Sequence, residues 1–183
     1  MKKHRQLLAL FICLVMSVSL LTGYSETKAA TEEPTQSAEQ ETAETREITD
    51  MAGRKVTVPA AENIESVFSA GPVAAIFLYM VAPDKLLGWN YELNDVEKSI
   101  ILDKYQDLPN FGMGDSVNYV AVIAANPTIA INSGKINDTM VSDCDALSES
   151  LGIPVVAVDN ELNNSAEAFR FMGELLGVED HAE

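Results

Sequence analysis

DSVNYVAVIAANPTIAINSGKI, residues 115–136, carries the arrangement from which the rest of the chain can be read. Asp115 and Ser116 are helix starters, because their side-chain oxygens accept from the free N–H groups of a first turn. Val117–Ala125 is an apolar, alanine-rich run of helical length. Asn126-Pro127 stops it, since the residue before a proline is pushed out of the helical region. Ile129–Ile131 does not alternate with polar residues, which predicts a short strand buried on both faces. Asn132-Ser133-Gly134-Lys135 follows as a polar turn. The order is helix, turn, buried strand, polar loop at the strand's C-terminal end, and in open α/β sheets ligands bind at those ends.

The same grammar recurs on both sides. Upstream, Ile64–Ser69 reads as a strand and Ala70-Gly71-Pro72 as a turn. Val73–Val81, apolar all round, is expected to be a buried helix. Pro83-Asp84 ends it, Leu86–Trp89 is the next strand, and the whole is a βαβ unit with a right-handed crossover. Asn94 and Glu97 have capping-box spacing for a helix running to Tyr105. Leu108–Gly114 is a loop. Earlier still, Arg46–Pro59 is a hairpin, with Ile48 and then Val56 and Val58 flanking a turn at Ala52-Gly53. Downstream, Asp138 is expected to cap a helix with Met140, Cys144, Leu147 and Leu151 at helical spacing. Gly152-Ile153-Pro154 ends it, and Val155–Val158 is another buried strand. Asn164 and Glu167 suggest a second capping box, for a helix to Leu176, and Val178–Glu183 begins a further helical stretch. The fold class expected is α/β: a three-layer, Rossmann-like lobe with a short, mostly parallel sheet, helices on both faces and an N-terminal β-hairpin.

The strand-end loops are the candidate site. Gly71, Pro72, Trp89, Asn90, Tyr91, Met113, Asn132, Ser133, Lys135 and Asn160 are expected along one edge of the sheet. Trp89 and Tyr91 can stack on a planar ligand while offering N–H and O–H groups; the plainer alternative is a core Trp89 and a solvated Lys135. Catalysis finds little support. Cys144 falls on the apolar face of its helix, where a thiol is inert. His181 is the sole histidine after the N-terminal segment, so no Ser/His/Asp or Cys/His arrangement can be assembled. Gly112 and Gly114 lack the third glycine of a dinucleotide fingerprint.

Composition bounds the partners. Of 183 residues, 28 are acidic and 12 basic, a net charge of −16. That balance argues against nucleic acid, which needs a basic face. Two cysteines and two histidines are too few for a Cys/His metal cluster. The N-terminus reads as an export signal over residues 1–29: a basic start (Lys2, Lys3, His4, Arg5), then the apolar run Leu7–Leu21, too short to span a bilayer. Thr27 and Ala29 suit cleavage by an ordinary signal peptidase. Residues 30–45 are Glu-, Thr- and Ala-rich without apolar periodicity, and read as a disordered acidic linker.

Several of these stretches together resemble a known family. Asn118, Ile123, Ala124, Pro127 and Ile131 match the block usually written N-L-E-x-I-L-A-L-x-P-D-L-V-I in the substrate-binding proteins of ABC importers for iron–siderophore complexes, haem and cobalamin. Thr49, Asp50, Gly53, Arg54, Val56, Val58 and Pro59 resemble that family's entry hairpin. Leu108-Pro109 and Gly112 resemble its L-P-x-x-G loop. The resemblance covers residues 46–183. It implies the N-terminal lobe of a two-lobed binding protein, ending before the second lobe, with no cofactor and no enzymatic activity. It also implies a small metal-chelate ligand between the lobes, which Lys135 can meet if it is anionic, and an ABC permease as partner. Two positions depart from the block: Thr128 stands for Asp, and Val120 for the Glu that commonly pairs with a permease arginine. Leu21-Thr22-Gly23-Tyr24 resembles a lipobox with Tyr24 at the cysteine, so no thiol is there to take a lipid. The alternative kept beside this reading is a one-lobed extracellular module that binds a protein partner; a small α/β enzyme is the weakest of the three.

Overall fold

A computed structural model describes residues 44–182; the expected signal, most of the linker and Tyr24 lie outside them. The first element is the hairpin β1 (Thr45–Thr49) and β2 (Lys55–Pro59), paired antiparallel with Ile48 opposite Val56. β1 thus begins inside the stretch assigned to the linker. Gly53 takes a φ of 77° at the turn, a conformation open to glycine at no steric cost.

The central sheet contains β3 (Val67–Ser69), β4 (Ile129–Gly134) and β5 (Val155–Asp159), parallel and in that order. Beyond β3 the sheet continues only as single bridges, Val67 to Leu86 and Trp89 to Asn110, both parallel. The strand expected at Leu86–Trp89 is therefore reduced to its two ends. The cause is at Gly88: a Cβ built there would lie 2.3 Å from the Pro109 carbonyl oxygen and 2.6 Å from the Phe111 ring. The chain crosses too closely for a regular ladder, and only a glycine permits the crossing.

Alternate strand residues face two helical layers. Val67, Ile129, Ile131, Val156 and Val158 pack with α1 (Pro72–Val81) and α6 (Ser165–Leu176). Phe68, Ala130, Val155 and Ala157 pack with α4 (Tyr119–Ala124) and α5 (Asp138–Leu151). Two short helices, α2 (Asp95–Lys98) and α3 (Asp103–Gln106), stand where one helix was expected. The capping box of α2 is real: Asn94 Oδ1 accepts from the Val96 and Glu97 amides, and Glu97 Oε2 accepts from the Asn94 amide.

Several boundaries shift for local reasons. Gly114–Ser116 form a 3-10 turn, so Asn118 rather than Asp115 or Ser116 caps α4, its Oδ1 accepting from the Ala121 amide. Asn137, not Asp138, caps α5 through the Met140 amide. Asn164 makes no cap: its backbone, at φ −104° and ψ 2°, is not in the extended cap conformation, and its side-chain Nδ2 donates to Asp159 Oδ2 at 2.6 Å. α4 ends as expected, but Asn126 sits at φ 52°, left-handed backbone that asparagine tolerates, rather than extended. Beyond Gly177 the described residues make a 3-10 turn, Glu179–His181, in place of the further helix expected.

α1 departs most from expectation. Ala74, Ala75, Leu78 and Val81 are buried, but Val73, Ile76 and Met80 are 41%, 44% and 60% exposed. The helix is apolar all round and covered on one side only.

The hairpin turn closes the outer edge of β5. Asp50 is fully buried; its Oδ2 accepts from the Ala157 amide and from Arg54 Nη1, and its Oδ1 from the Ala52 and Arg54 amides. The Met51 amide donates to the Ala157 carbonyl, and Arg54 Nη1 to the Val155 carbonyl. An open edge would be a template for further strands; here the outward groups of β5 are already used.

Candidate functional site

Parallel strands place all their C-terminal ends on one side of the sheet. The loops leaving them here are residues 70–72 after β3, 90–94 after the Leu86–Trp89 bridges, 112–118 after Asn110, 135–137 after β4 and 160–164 after β5. The ten residues singled out from sequence stand at these ends, but the structure assigns them different work.

Trp89 belongs to the core. It is 2% exposed, its indole N–H donates to the Tyr105 carbonyl at 2.8 Å, and its ring lies 5.7 Å from that of Tyr79. It has no face left for the ligand stacking expected of it. Asn90 is also buried, and its side chain is spent on joining loops: Nδ2 donates to the Ser69 carbonyl (2.9 Å) and the Gly112 carbonyl (3.3 Å), and Oδ1 accepts from Ser69 Oγ. Asn90 therefore ties the end of β3 to the loop that leads into α4.

Tyr91 is half-buried and donates its hydroxyl to Glu97 Oε1 at 2.9 Å. Burial, and then the bond to that carboxylate, raise its pKa, so the proton stays on the phenol. Met113 is 50% exposed. Gly71 and Pro72 form the entry to α1, with Pro72 in the first turn, where its missing N–H costs nothing. Asn132 and Ser133 are strand residues, paired with Ala157 and Val158, rather than part of a turn. Lys135 is exposed, with Nζ 3.8 Å from Glu161 Oε1. Asn160 donates its amide to the Gly134 carbonyl.

A groove of about 370 Å³ opens beside these ends, lined by Ala70, Tyr119, Asn132, Asp143, Leu147 and Ser150. Asn132 is the one singled-out residue in it. Its Nδ2 lies 3.7 Å from Cys144 Sγ, and Cys144 is fully buried, as its place on the helix implied. Burial raises the Cys144 pKa, so the thiol is held neutral. A second groove of about 560 Å³, lined by Met80, Phe169, Arg170 and His181 among others, lies between α1 and α6 and away from the loops named above. Val120, at the position of the family's docking Glu, is 79% exposed on α4.

One residue at these ends was not among the candidates. Asp159, the last residue of β5, is 8% exposed, and its carboxylate accepts from the Glu161 amide and from Asn164 Nδ2. An acid ending an otherwise apolar strand was the available signal. Among the described residues no group of three or more His, Cys, Asp or Glu side chains is placed to hold a metal ion.

No family model matches the sequence, and no curated protein does. Solved structures do match. An ABC transporter solute binding protein from Sulfurospirillum deleyianum superposes with a TM-score of 0.62 and 22% identity, over 75% of this chain and 44% of that one. A periplasmic solute binding protein from Veillonella parvula gives 0.59 and 21%, over 75% and 43%. Staphylococcus aureus SirA, solved in complex with staphyloferrin B, gives 0.55 and 19%, over 75% and 44%. The chain thus spans less than half the length of these three proteins, and over that length it shares their fold, that of an ABC transporter solute binding protein and a periplasmic solute binding protein among them.

Proposed function

We propose that this chain supplies one wall of the solute-binding site of an ABC importer, for a small metal chelate of the iron–siderophore, haem or cobalamin kind. It works outside the cytoplasm, carries out no reaction and hands its ligand to a permease. The observation that supports this is the fold likeness, taken with the loops that leave the C-terminal ends of the parallel strands, the side on which open α/β sheets bind ligands. Among the described residues no helix is long and apolar enough to cross a membrane. The apolar exposure of Val120 fits a weakened permease contact, since a rim charge that sets orientation is missing. Val120→Glu is expected to increase stimulation of an importer's ATPase. Tyr24→Cys is expected to introduce labelling by a fatty-acid analogue that the unaltered chain does not take.

The direct test is titration of the isotope-labelled chain with gallium-loaded siderophores and corrinoids, followed through its backbone amides. Good pockets bury about 70–90% of a ligand, and one wall offers about half of that. Loss of about 3 kcal/mol from a micromolar site gives a dissociation constant of roughly 0.1–1 mM. Shifts are expected at residues 90–92, 113–118, 135 and 160–161. Shifts confined to the α1–α6 groove would overturn the reading. Micromolar binding by the monomer would show that one wall suffices.

A further inference from the structure

Apart from aromatic and sulfur-bearing side chains, four polar or charged residues are buried among the described residues: Asp50, Ser69, Asn90 and Asp159. Asp50 serves the hairpin and Asp159 its own loop. Ser69 and Asn90 are bonded to each other at the C-terminal end of β3, at 1% and 2% exposure. Buried polar groups cost free energy unless they are bonded, and Asn90 spends its whole carboxamide. Nδ2 donates to the carbonyl oxygens of Ser69 and Gly112, and Oδ1 accepts from the Ser69 hydroxyl. Those partners fix its orientation, since a carbonyl oxygen can only accept.

The backbone pairing does not call for this group. Trp89 and Phe111 are already held through Trp89 N–H to Pro109 and Phe111 N–H to Trp89. No backbone hydrogen bond among the described residues joins residues 70–72 to residues 112–118. The rings of Phe68 and Phe111 meet edge to face further in, with centroids 5.9 Å apart. Asn90 is thus the polar link between two loops, and the loops carry Gly71, Pro72 and Met113, which reach the surface. Gly112 is a firm anchor for it. Its N–H donates to Asn110 Oδ1, and at φ 80° a Cβ would lie 2.4 Å from the Ser116 carbonyl oxygen.

Resting on the solute-binding reading above, we propose that Asn90 is a positioning residue of the strand-end wall. It touches no ligand. It holds Gly71-Pro72 and Met113 in one fixed relation, so that two loops meet a solute as a single preformed surface. A surface ordered in advance has less freedom to lose on binding, and affinity rises without a new contact.

Hydrogen exchange in the ligand-free chain tests the link. The Ala70 amide, bonded to Ile131, reports one loop, and the Asn118 amide, bonded to Phe111, the other. Asn90→Ala is expected to speed both about tenfold beyond any change at the Thr128 and Ala157 amides, the scale of hydrogen bonds lost from a buried group. If all four amides speed up together, the role is merely structural and the proposal is overturned. Should Asn90→Ala fail to fold, Ser69→Ala removes one of the three bonds and is expected to speed Ala70 and Asn118 about threefold. Gly114→Ala gives an independent readout. Gly114 is exposed at φ 55° with open space where a Cβ would stand, so alanine strains its loop without a clash. It is expected to speed exchange at Asn118 about fivefold, the scale of left-handed strain, and through Asn90 to be felt at Ala70. An Ala70 amide indifferent to Gly114→Ala would overturn the proposal. Titration with the gallium complex of a tris-catecholate siderophore separates this from the binding reading. Where the unaltered chain binds it, Asn90→Ala is expected to weaken binding about tenfold; equal affinity would overturn the positioning role. Absence of binding, with the exchange pattern as expected, would count against the solute-binding reading and leave the link between the loops established.

Discussion

Asp50→Ala removes the group that joins the hairpin to the sheet. The Asp50 carboxylate takes four donors, and its side chain has no exposure to solvent. Their losses differ. The Ala157 amide sits in a fully buried strand and has no alternative partner, so its desolvation costs about 1–3 kcal/mol. The Ala52 and Arg54 amides lie in a half-exposed turn that water can reach, and add little each. Arg54 retains Asp145 and the Val155 carbonyl, but it loses its only buried counter-charge; breaking a buried pair from one side costs about 3–5 kcal/mol, and partial exposure of Arg54 places this case at the low end. The expected total is about 3–4 kcal/mol. For a chain of this size that lowers the melting temperature by roughly 10 °C. Denaturation followed by circular dichroism gives the stability, and hydrogen exchange at the Ala157 amide gives the mechanism. Asp50→Asn is the control for shape: with one oxygen kept toward the turn, its NH2 faces the Ala157 and Arg54 donors, so it is expected to lose nearly as much. A loss below about 1 kcal/mol for Asp50→Ala, with Ala157 still protected, would refute this account of the hairpin.

Other substitutions separate structure from ligand contact. Gly88→Ala puts a Cβ against the Pro109 carbonyl and the Phe111 ring, neither a flexible side-chain end, and is expected to cost about 2–3 kcal/mol in chemical denaturation. Gly134→Ala meets only the end of the Met140 side chain and is expected to cost less than about 1 kcal/mol by the same assay. Asn90→Ala is expected to lower stability by about 2–3 kcal/mol and to speed amide exchange over residues 112–118, because it breaks the tie to Ser69 and Gly112; weaker ligand binding at unchanged stability would instead make Asn90 a contact residue. Cys144 is expected to stay unreactive toward a thiol reagent in native protein at mildly alkaline pH and to react fully in concentrated guanidinium. Its raised folded pKa favours the neutral thiol, a stabilising contribution present below the unfolded value of 9.0 and lost as pH rises through the folded value.

The sheet was readable because burial on both faces leaves an unambiguous mark. Ile129–Ile131 and Val155–Val158 are runs that no amphipathic helix or surface strand would carry, and both are strands with every one of those residues buried. The hairpin was equally plain, since Val56 and Val58 alternate with exposed Lys55 and Thr57. Caps were harder wherever two competent residues stand together. Asn137 and Asp138 both qualify, and which one caps depends on where the helix has room to begin. The pair Asn164 and Glu167 has the right spacing, yet Asn164 itself ends a 3-10 turn, Leu162–Asn164, and lacks the extended backbone a cap needs. α1 shows a different limit: a helix apolar on all sides announces its existence but not its orientation, so nothing in Val73–Val81 indicated that Val73, Ile76 and Met80 would face outward.

The strand-end edge was readable as a place, and the direction of its side chains less so, for a geometric reason. Parallel strands fix where their C-terminal ends lie, so alternation of buried strands and helices is enough to locate the edge. Which way a side chain points at that edge is decided by what the neighbouring loop needs. The bridges at Leu86 and Trp89 leave the crossing at Gly88 with only a few backbone bonds (Leu87 to Val67, Trp89 to Pro109, Phe111 to Trp89), and side chains add to them: the Trp89 indole bonds back to Tyr105, and the Asn90 amide spans to Ser69 and Gly112. These are the polar-tipped residues that a search for ligand contacts selects, because both tasks call for a group with an apolar body or short reach and a hydrogen-bonding end. Where the ladder is regular, at β4 and β5, the backbone holds itself, and the strand-end side chains Asn132, Ser133 and Lys135 keep some exposure to solvent. The β4–β5 side of the edge, with Lys135, Asn160 and Glu161, therefore keeps side chains open to solvent, while Trp89 and Asn90, which aromatic and polar character first recommended, are buried.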